Sequence, residues 1–161
     1  MTTEQEIAAK IHQNTKNDIE QFGLSVIHVI NSHSYSIGCR PILGFDLIFT
    51  IGNAEAGHYL INKLCRLLKE QPLTKSVEVF ENILNGYGIT LVEVPVTEEF
   101  LDSYVRQAVN YYEKENDGAQ LGDLRFVQVV IPDSNHHYPW DSHYNQAMIQ
   151  PLLFSAGETI H

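Results

Sequence analysis

A short stretch near the end of the chain contains the side chains best suited to metal chemistry. Three histidines and two aspartates lie within eleven residues: Asp133, His136, His137, Asp141 and His143. Imidazole and carboxylate groups bind zinc and other divalent ions, and three such ligands with one water make an open, catalytic type of site. A metal-dependent enzyme or a ligand-binding domain is therefore one hypothesis for the function.

The spacing of these histidines does not match a known ligand motif. The adjacent side chains of His136 and His137 point in different directions in an extended chain. Five residues separate His137 from His143, unlike the two histidines that HExxH places on one helix face. The alternative is an exposed polar loop in which Asp133 and Asp141 stabilise turns and caps. We favour this alternative and predict neither a metal nor a cofactor.

The only Trp of the chain lies in the same stretch, in the sequence Tyr138-Pro139-Trp140-Asp141. A Trp in a Pro-flanked loop can anchor a protein interface, because Trp is enriched among the residues that dominate binding energy. It can equally fold back and cover the end of a sheet. We keep Trp140, Tyr138, Asp141 and Asp133 as candidate partner-binding residues.

The net charge of -10 is concentrated in the second half of the chain. Residues 1–75 contain seven acidic and seven Lys or Arg residues, whereas residues 76–161 contain thirteen and three. Such a surface repels phosphate backbones and anionic membranes, so we predict no nucleic-acid and no membrane partner. It attracts basic proteins, which makes Glu98, Glu99 and Asp102 further candidate partner-binding residues. The alternative is that the charge only keeps the protein soluble.

Length and composition indicate one domain over residues 1–161. Hydrophobic residues make up 43% of the chain and charged residues 19%, as in ordinary globular proteins. The first residues lack the basic and apolar regions of a secretory signal, and the apolar runs are too short for a membrane span, so we expect a cytoplasmic protein. Cys39 and Cys65 lie outside any CxxC spacing and are expected to be free thiols.

Hydrophobic periodicity predicts three helices and six strands. The first helix begins at a capping box of Thr3 and Glu6, the second after Asn53 and the third after Thr97. The predicted strands cover residues 24–30, 34–39, 45–52, 77–84, 89–96 and 125–131. This order predicts an α+β fold: a mostly antiparallel sheet with about three packed helices, and with the last strand in a central position.

The C-terminal block also resembles a known family. Its apolar strand ends at Ile131 and is followed by Pro132-Asp133, Pro139-Trp140-Asp141 and Gln150-Pro151-Leu152. This order resembles the bacterial family called domain of unknown function 4262, as do the strands at residues 34–38 and 46–52. The resemblance implies a fold but no activity, because none is firmly assigned to the family. Since the family shares Pro-Trp-Asp, we favour a structural role for Trp140.

The chain departs from the family at three places. Family members have Gly-His-Pro-Glu-Leu where this chain has Gly-Phe-Asp-Leu at 44–47, and Trp where it has Ile131. After Pro-Asp they continue into Gly and a basic residue, whereas this chain has Asn135, His136 and His137. A site built from those family positions is therefore not implied here.

These observations favour a small acidic cytoplasmic protein that binds a basic protein partner. The specific form that we predict is an immunity or inhibitor protein that neutralises a toxin, because many immunity proteins are small and acidic. The sequence contains no G-x-S-x-G nucleophile elbow and no glycine-rich phosphate-binding loop, and no thiol-protease motif surrounds Cys39. The protein is therefore expected to be a binding protein rather than an enzyme.

Overall fold

The structure is a computed structural model that describes residues 2–115 and 123–159. Within these ranges lie six strands and six helices, of which α2 and α6 are single turns. In chain order they are α1 (Thr3–Phe22), β1 (Ser25–Val29), β2 (His33–Ile37), α2 (Arg40–Leu43), β3 (Asp46–Phe49), α3 (Ala54–Glu70), β4 (Val77–Leu84), β5 (Tyr87–Val94), α4 (Glu98–Tyr104), α5 (Arg106–Glu115), β6 (Phe126–Val130) and α6 (Ala156–Thr159). None of the described helices is both long and apolar enough to cross a membrane.

The six strands form one sheet in the order β1-β2-β3-β6-β5-β4. Four of the neighbouring pairs are antiparallel, and only β3 and β6 run parallel. Strand β6 lies between β3 and β5, and all five of its residues are buried. The predicted α+β class, the mostly antiparallel sheet and the central position of the last strand are therefore confirmed.

One side of the sheet, here called the α3 face, is covered by α3. Alternate residues of the central strands point to this side, and the apolar positions of α3 recur at helical spacing to meet them. The contacting residues are Leu47, Phe49, Leu91, Val127 and Val129 of the sheet and Leu60, Ile61, Leu64, Cys65 and Leu68 of α3. The helix begins where predicted, since Asn53 Oδ1 accepts a hydrogen bond of 2.9 Å from Ala56 N.

The opposite side, the α5 face, is covered by α4, α5, α1 and the segment that follows β6. Ile48 and Phe126 point to this side and pack against the two helices. Helix α1 lies beside α5, where the rings of His12 and Tyr111 stack with centroids 5.1 Å apart. Tyr138, Trp140, Leu152 and Phe154 cover the part of this face around Val92 and Val130. Tyr138 and Trp140 therefore belong to this side of the molecule, whereas His136 stacks on Tyr87, which alternates along β5 with Ile89 and Leu91 of the α3 face.

The structure differs from the predicted elements at several places, including the short helix α6, which was not predicted. The third predicted helix is divided at Val105, whose backbone is not helical (φ -130°, ψ 36°) and whose side chain is fully buried. This break turns the chain so that α4 and α5 both reach the sheet. Arg40-Pro41 ends β2 as predicted but begins the single turn α2, because Pro is tolerated in a first helical turn. The capping box of α1 uses Thr2 and Gln5, one residue before the predicted pair.

Candidate functional site

The segment after β6 is organised around the carboxylate of Asp133, which is only 3% exposed. Asp133 Oδ1 accepts hydrogen bonds of 2.9 Å from Asn135 N and His137 N, and Oδ2 accepts one of 2.8 Å from Asn145 N. Burial alone raises the pKa of Asp133, but these backbone donors lower it below its ordinary value. The carboxylate therefore holds the loop closed and is turned away from solvent.

Tyr138, Trp140 and Asp141 form the part of this segment that lies on the sheet. Asp141 Oδ2 accepts a hydrogen bond of 2.7 Å from Tyr138 N, which fixes the turn. The Tyr138 and Trp140 rings stack, with centroids 4.9 Å apart and planes 9° apart. Both rings are half-buried against Val92 and Val130. The Trp thus covers the sheet, as the structural interpretation predicts, while part of its ring stays exposed.

The three histidines of the segment do not converge. His136 has a left-handed backbone (φ 67°) and stacks on Tyr87, with ring centroids 4.5 Å apart. His137 and His143 lie side by side, with centroids 5.7 Å apart, and His137 Nδ1 is 3.8 Å from Asp133 Oδ2. In residues 2–115 and 123–159 no group of three or more His, Cys, Asp or Glu side chains is placed to hold a metal ion.

Two glutamines, of which the sequence analysis names only Gln150 and assigns it no contact, attach the end of the chain to β6. Gln128 is fully buried; its amide donates to Thr50 Oγ1 (3.0 Å) and to Pro151 O (2.9 Å), and its Oε1 accepts from Leu153 N (2.9 Å). Gln150 binds both backbone groups of Ile131, at 2.9 and 2.8 Å, and so takes the place of a neighbouring strand. A polar residue inside the apolar run 126–131 is the pattern that could have revealed Gln128.

The acidic candidates Glu98, Glu99 and Asp102 lie on α4, away from this loop but on the same face of the sheet. Thr97 caps the helix as predicted, because its hydroxyl oxygen accepts a hydrogen bond of 3.1 Å from Phe100 N. All three carboxylates are exposed, and Asp102 pairs with Arg106 one turn later. Acidic side chains suit the first turn of a helix, because the N-terminal end carries partial positive charge.

A second polar cluster, which the sequence did not suggest, lies inside the core around Asp46. Its Oδ1 accepts from Ser36 Oγ (2.6 Å) and Cys39 N (3.0 Å), and its Oδ2 accepts from the hydroxyl of Tyr112. Burial raises the pKa of Asp46 to about 6, although these hydrogen bonds oppose the shift. Burial and the neighbouring carboxylate also raise the pKa of Tyr112. A carboxyl group at the start of the apolar strand 46–49 is the only trace of this cluster in the sequence.

Comparison with known proteins gives one family match. Residues 18–145 match the model of a family described as a domain of unknown function, number 4262. The matched range includes Asp133 and Trp140 but ends before Gln150. No curated protein and no solved structure matches the chain.

Proposed function

The chain belongs to the family of domain of unknown function 4262, and since that description names no activity, we propose a function from the chain's own surface. The proposal is a small acidic protein of the bacterial cytoplasm that binds a basic protein partner. Its specific form is an immunity or inhibitor protein that neutralises a toxin.

The observation that carries the proposal is the separation of charge between the two faces of the sheet. On the α5 face, α4 contains three acidic and no basic residues, and α5 contains two of each. Helix α1, which packs beside α5 and borders α3 at its C-terminal end, contains four acidic and two basic residues. On the α3 face, α3 contains two acidic and three basic residues. A partner with a basic surface is therefore attracted to the α5 face, and phosphate backbones and anionic membranes are repelled from it.

Within this face, α4 and the C-terminal segment supply complementary kinds of contact. Glu98, Glu99 and Asp102 are exposed and contribute charge, which speeds encounter and selects the partner. Trp140 and Tyr138 contribute the half-exposed aromatic area that commonly dominates binding energy. Asp141 is half-exposed beside them, whereas the buried Asp133 supports the loop from below.

The test begins with affinity capture in low salt, in which the untagged protein is used to isolate its partner from the organism that encodes it. Binding between the purified protein and the purified partner is then measured. We expect one basic protein in stoichiometric amount, with an affinity that falls as salt rises, because exposed charges are screened beyond about 10 Å at 0.1 M. The double variant Glu98→Gln/Glu99→Gln should weaken binding by about tenfold in low salt, roughly 1.4 kcal/mol.

The matched control removes two carboxylates from the opposite face, as Glu55→Gln/Glu70→Gln. It changes the net charge equally and should leave the affinity within about twofold of the original, since both residues lie on α3. The proposal is contradicted if the affinity is the same at low and high salt and in both double variants. It is also contradicted if no partner is captured.

A second candidate function rests on the approach of His137 and His143, whose ring centroids are 5.7 Å apart beside Asp133. In this alternative the protein is a metal-dependent enzyme or a ligand-binding domain, and the loop binds a divalent ion. His136 would have to leave the ring of Tyr87 to become a further ligand. Elemental analysis of untagged protein and melting with and without a chelator test it. Metal-free protein with an unchanged melting temperature contradicts it.

A further inference from the structure

The two cysteines of the chain meet in the core although 26 positions separate them in sequence. Cys39 follows β2 and precedes α2, and Cys65 lies in the middle of α3 on its buried side. Both are free thiols, as predicted, and are 2% and 1% exposed. Their Sγ atoms are 2.9 Å apart.

This separation is closer than packing alone produces. Carbon atoms, which are smaller than sulfur, pack at about 3.5–4.0 Å. The observed 2.9 Å is well inside that range. It exceeds the length of an S–S bond, about 2.05 Å, by less than one ångström. The two elements that carry the thiols therefore hold them close to bonding distance.

We propose that Cys39 and Cys65 are a thiol-oxidation site and form an intramolecular disulfide on reaction with a low-molecular-weight disulfide such as glutathione disulfide. The reaction converts two thiols and one small disulfide into one protein disulfide and two small thiols. The oxidant takes up the two electrons and two protons that the cysteines lose.

The surroundings assign a different part of the reaction to each sulfur. The hydrogen bond with Cys39 lowers the pKa of Cys65, burial opposes this, and the nearby Lys69 and Arg66 favour the thiolate. When local opening of the α2–α3 contact exposes it, Cys65 therefore attacks the oxidant and forms a mixed disulfide, releasing the first small thiol. The same hydrogen bond, burial and the Asp46 carboxylate raise the pKa of Cys39, which keeps its proton until the second step.

In the second step, Cys39 attacks the Cys65 sulfur and displaces the second small thiol. The proton of Cys39 passes to Asp46, whose carboxylate already accepts a hydrogen bond from Cys39 N, and then to the small thiolate that leaves the Cys65 sulfur. The pKa of Asp46, about 6, lies close to neutral pH, which suits a proton acceptor inside the core. Asp46 is here a positioning and proton-accepting residue for the cysteine pair.

The disulfide would join the β2–α2 connection to α3 and close a loop that contains α2, β3 and α3 as far as Cys65. Closing a loop of this length stabilises the folded state mainly by restricting the unfolded chain. The oxidised protein is therefore expected to melt about 5–15 °C above the reduced protein.

The test uses the wild-type chain. The reduced protein is incubated with glutathione disulfide, denatured, treated with N-ethylmaleimide and weighed by mass spectrometry. We expect the oxidised monomer to carry no adduct, to be two hydrogen atoms lighter than the unlabelled reduced chain, and to show the higher melting temperature. Dithiothreitol should restore two adducts and the original melting temperature.

The variants Cys39→Ser and Cys65→Ser separate the two steps. Cys39→Ser keeps the attacking sulfur and should accumulate the mixed disulfide with glutathione, whereas Cys65→Ser should react at least tenfold more slowly. Two adducts on the wild-type chain after prolonged oxidation, or a disulfide found only between two chains, overturn the proposal. A mixed disulfide that accumulates on Cys39 instead overturns the assigned order.

Discussion

At the scale of single residues, burial changes the chemistry of Asp46 more than that of any candidate in the C-terminal loop. Its carboxyl group is 1% exposed and receives hydrogen bonds from Ser36, Cys39 and Tyr112. Those bonds favour the charged form, but the loss of solvation outweighs them and the pKa rises to about 6. In Asp133 the three backbone hydrogen bonds outweigh the effect of burial, so its pKa is lowered.

The raised pKa of Asp46 predicts a specific pH dependence of stability. Between pH about 4 and about 6 the folded state retains the proton that the unfolded state has lost, so this group's contribution falls as pH rises through that window. Its full effect is about 3 kcal/mol. Urea unfolding of wild type and Asp46→Asn from pH 4 to 7 should show that the variant lacks this decline.

The exposed Asp102→Asn variant is the control for the Asp46 prediction, since its side chain is 69% exposed. It should follow the wild-type pH profile. A wild-type profile in Asp46→Asn would show instead that Asp46 ionises at its ordinary pKa in the folded protein.

At the scale of elements, the close packing of α3 on β2 depends on Gly57. A Cβ atom at this position would lie 2.4 Å from Ser34 Oγ and 2.8 Å from Ser34 Cβ. The second atom is fixed to the strand backbone, so rotating the Ser34 hydroxyl cannot relieve the overlap. The absence of a side chain therefore allows the helix to approach the sheet.

We predict that Gly57→Ala lowers the free energy of unfolding by about 1–3 kcal/mol, because overpacking outweighs the preference of helices for Ala. Chemical denaturation measures this directly. Gly157→Ala in α6 is the matched control, since no atom lies within 4 Å of its added Cβ, and it should cause no loss of stability. Equal stabilities of the two variants would argue against the tight α3–β2 contact.

At the scale of the whole molecule, the C-terminal segment is part of the sheet rather than an attachment to it. Gln128 connects Thr50, Pro151 and Leu153, and so joins β3, β6 and the end of the chain. The rings of Trp140 and Phe154 complete the cover over Val92 and Val130. We therefore expect the segment and the sheet to unfold together.

The variant Gln128→Ala tests whether the C-terminal segment and the sheet unfold together. The change removes three hydrogen bonds and leaves Leu153 N without its partner, although Thr50 Oγ1 still donates to Pro151 O. It also leaves a cavity in the core and should lower the free energy of unfolding by about 2–3 kcal/mol. Fluorescence of the only Trp reports on the segment, and far-UV circular dichroism reports on the sheet and helices. The midpoints of both should shift together, while the exposed Gln146→Ala stays within about 0.5 kcal/mol of wild type. If the fluorescence transition occurs at a lower denaturant concentration than the circular dichroism transition, the segment and the sheet do not unfold together.

The sequence by itself determined the features that depend on neighbouring residues. Alternating and helical periodicity located all six strands and the three helical regions, and the caps at Asn53 and Thr97 were found because each side chain binds an amide three residues away. The α+β class and the central last strand followed from the same local patterns. The motif order of the C-terminal block was sufficient to identify the family.

Only the tertiary structure decided which distant groups meet. Gln128 binds a carbonyl 23 positions away, Asp46 a hydroxyl 66 positions away, and Cys39 a thiol 26 positions away. No local pattern encodes these pairs, because they depend on how the helices pack on the two faces of the sheet. The same packing separates three histidines that are close in sequence and places acidic α4 on the face that carries Trp140. Local propensity specifies elements, but burial and long-range contact determine the chemistry of their side chains.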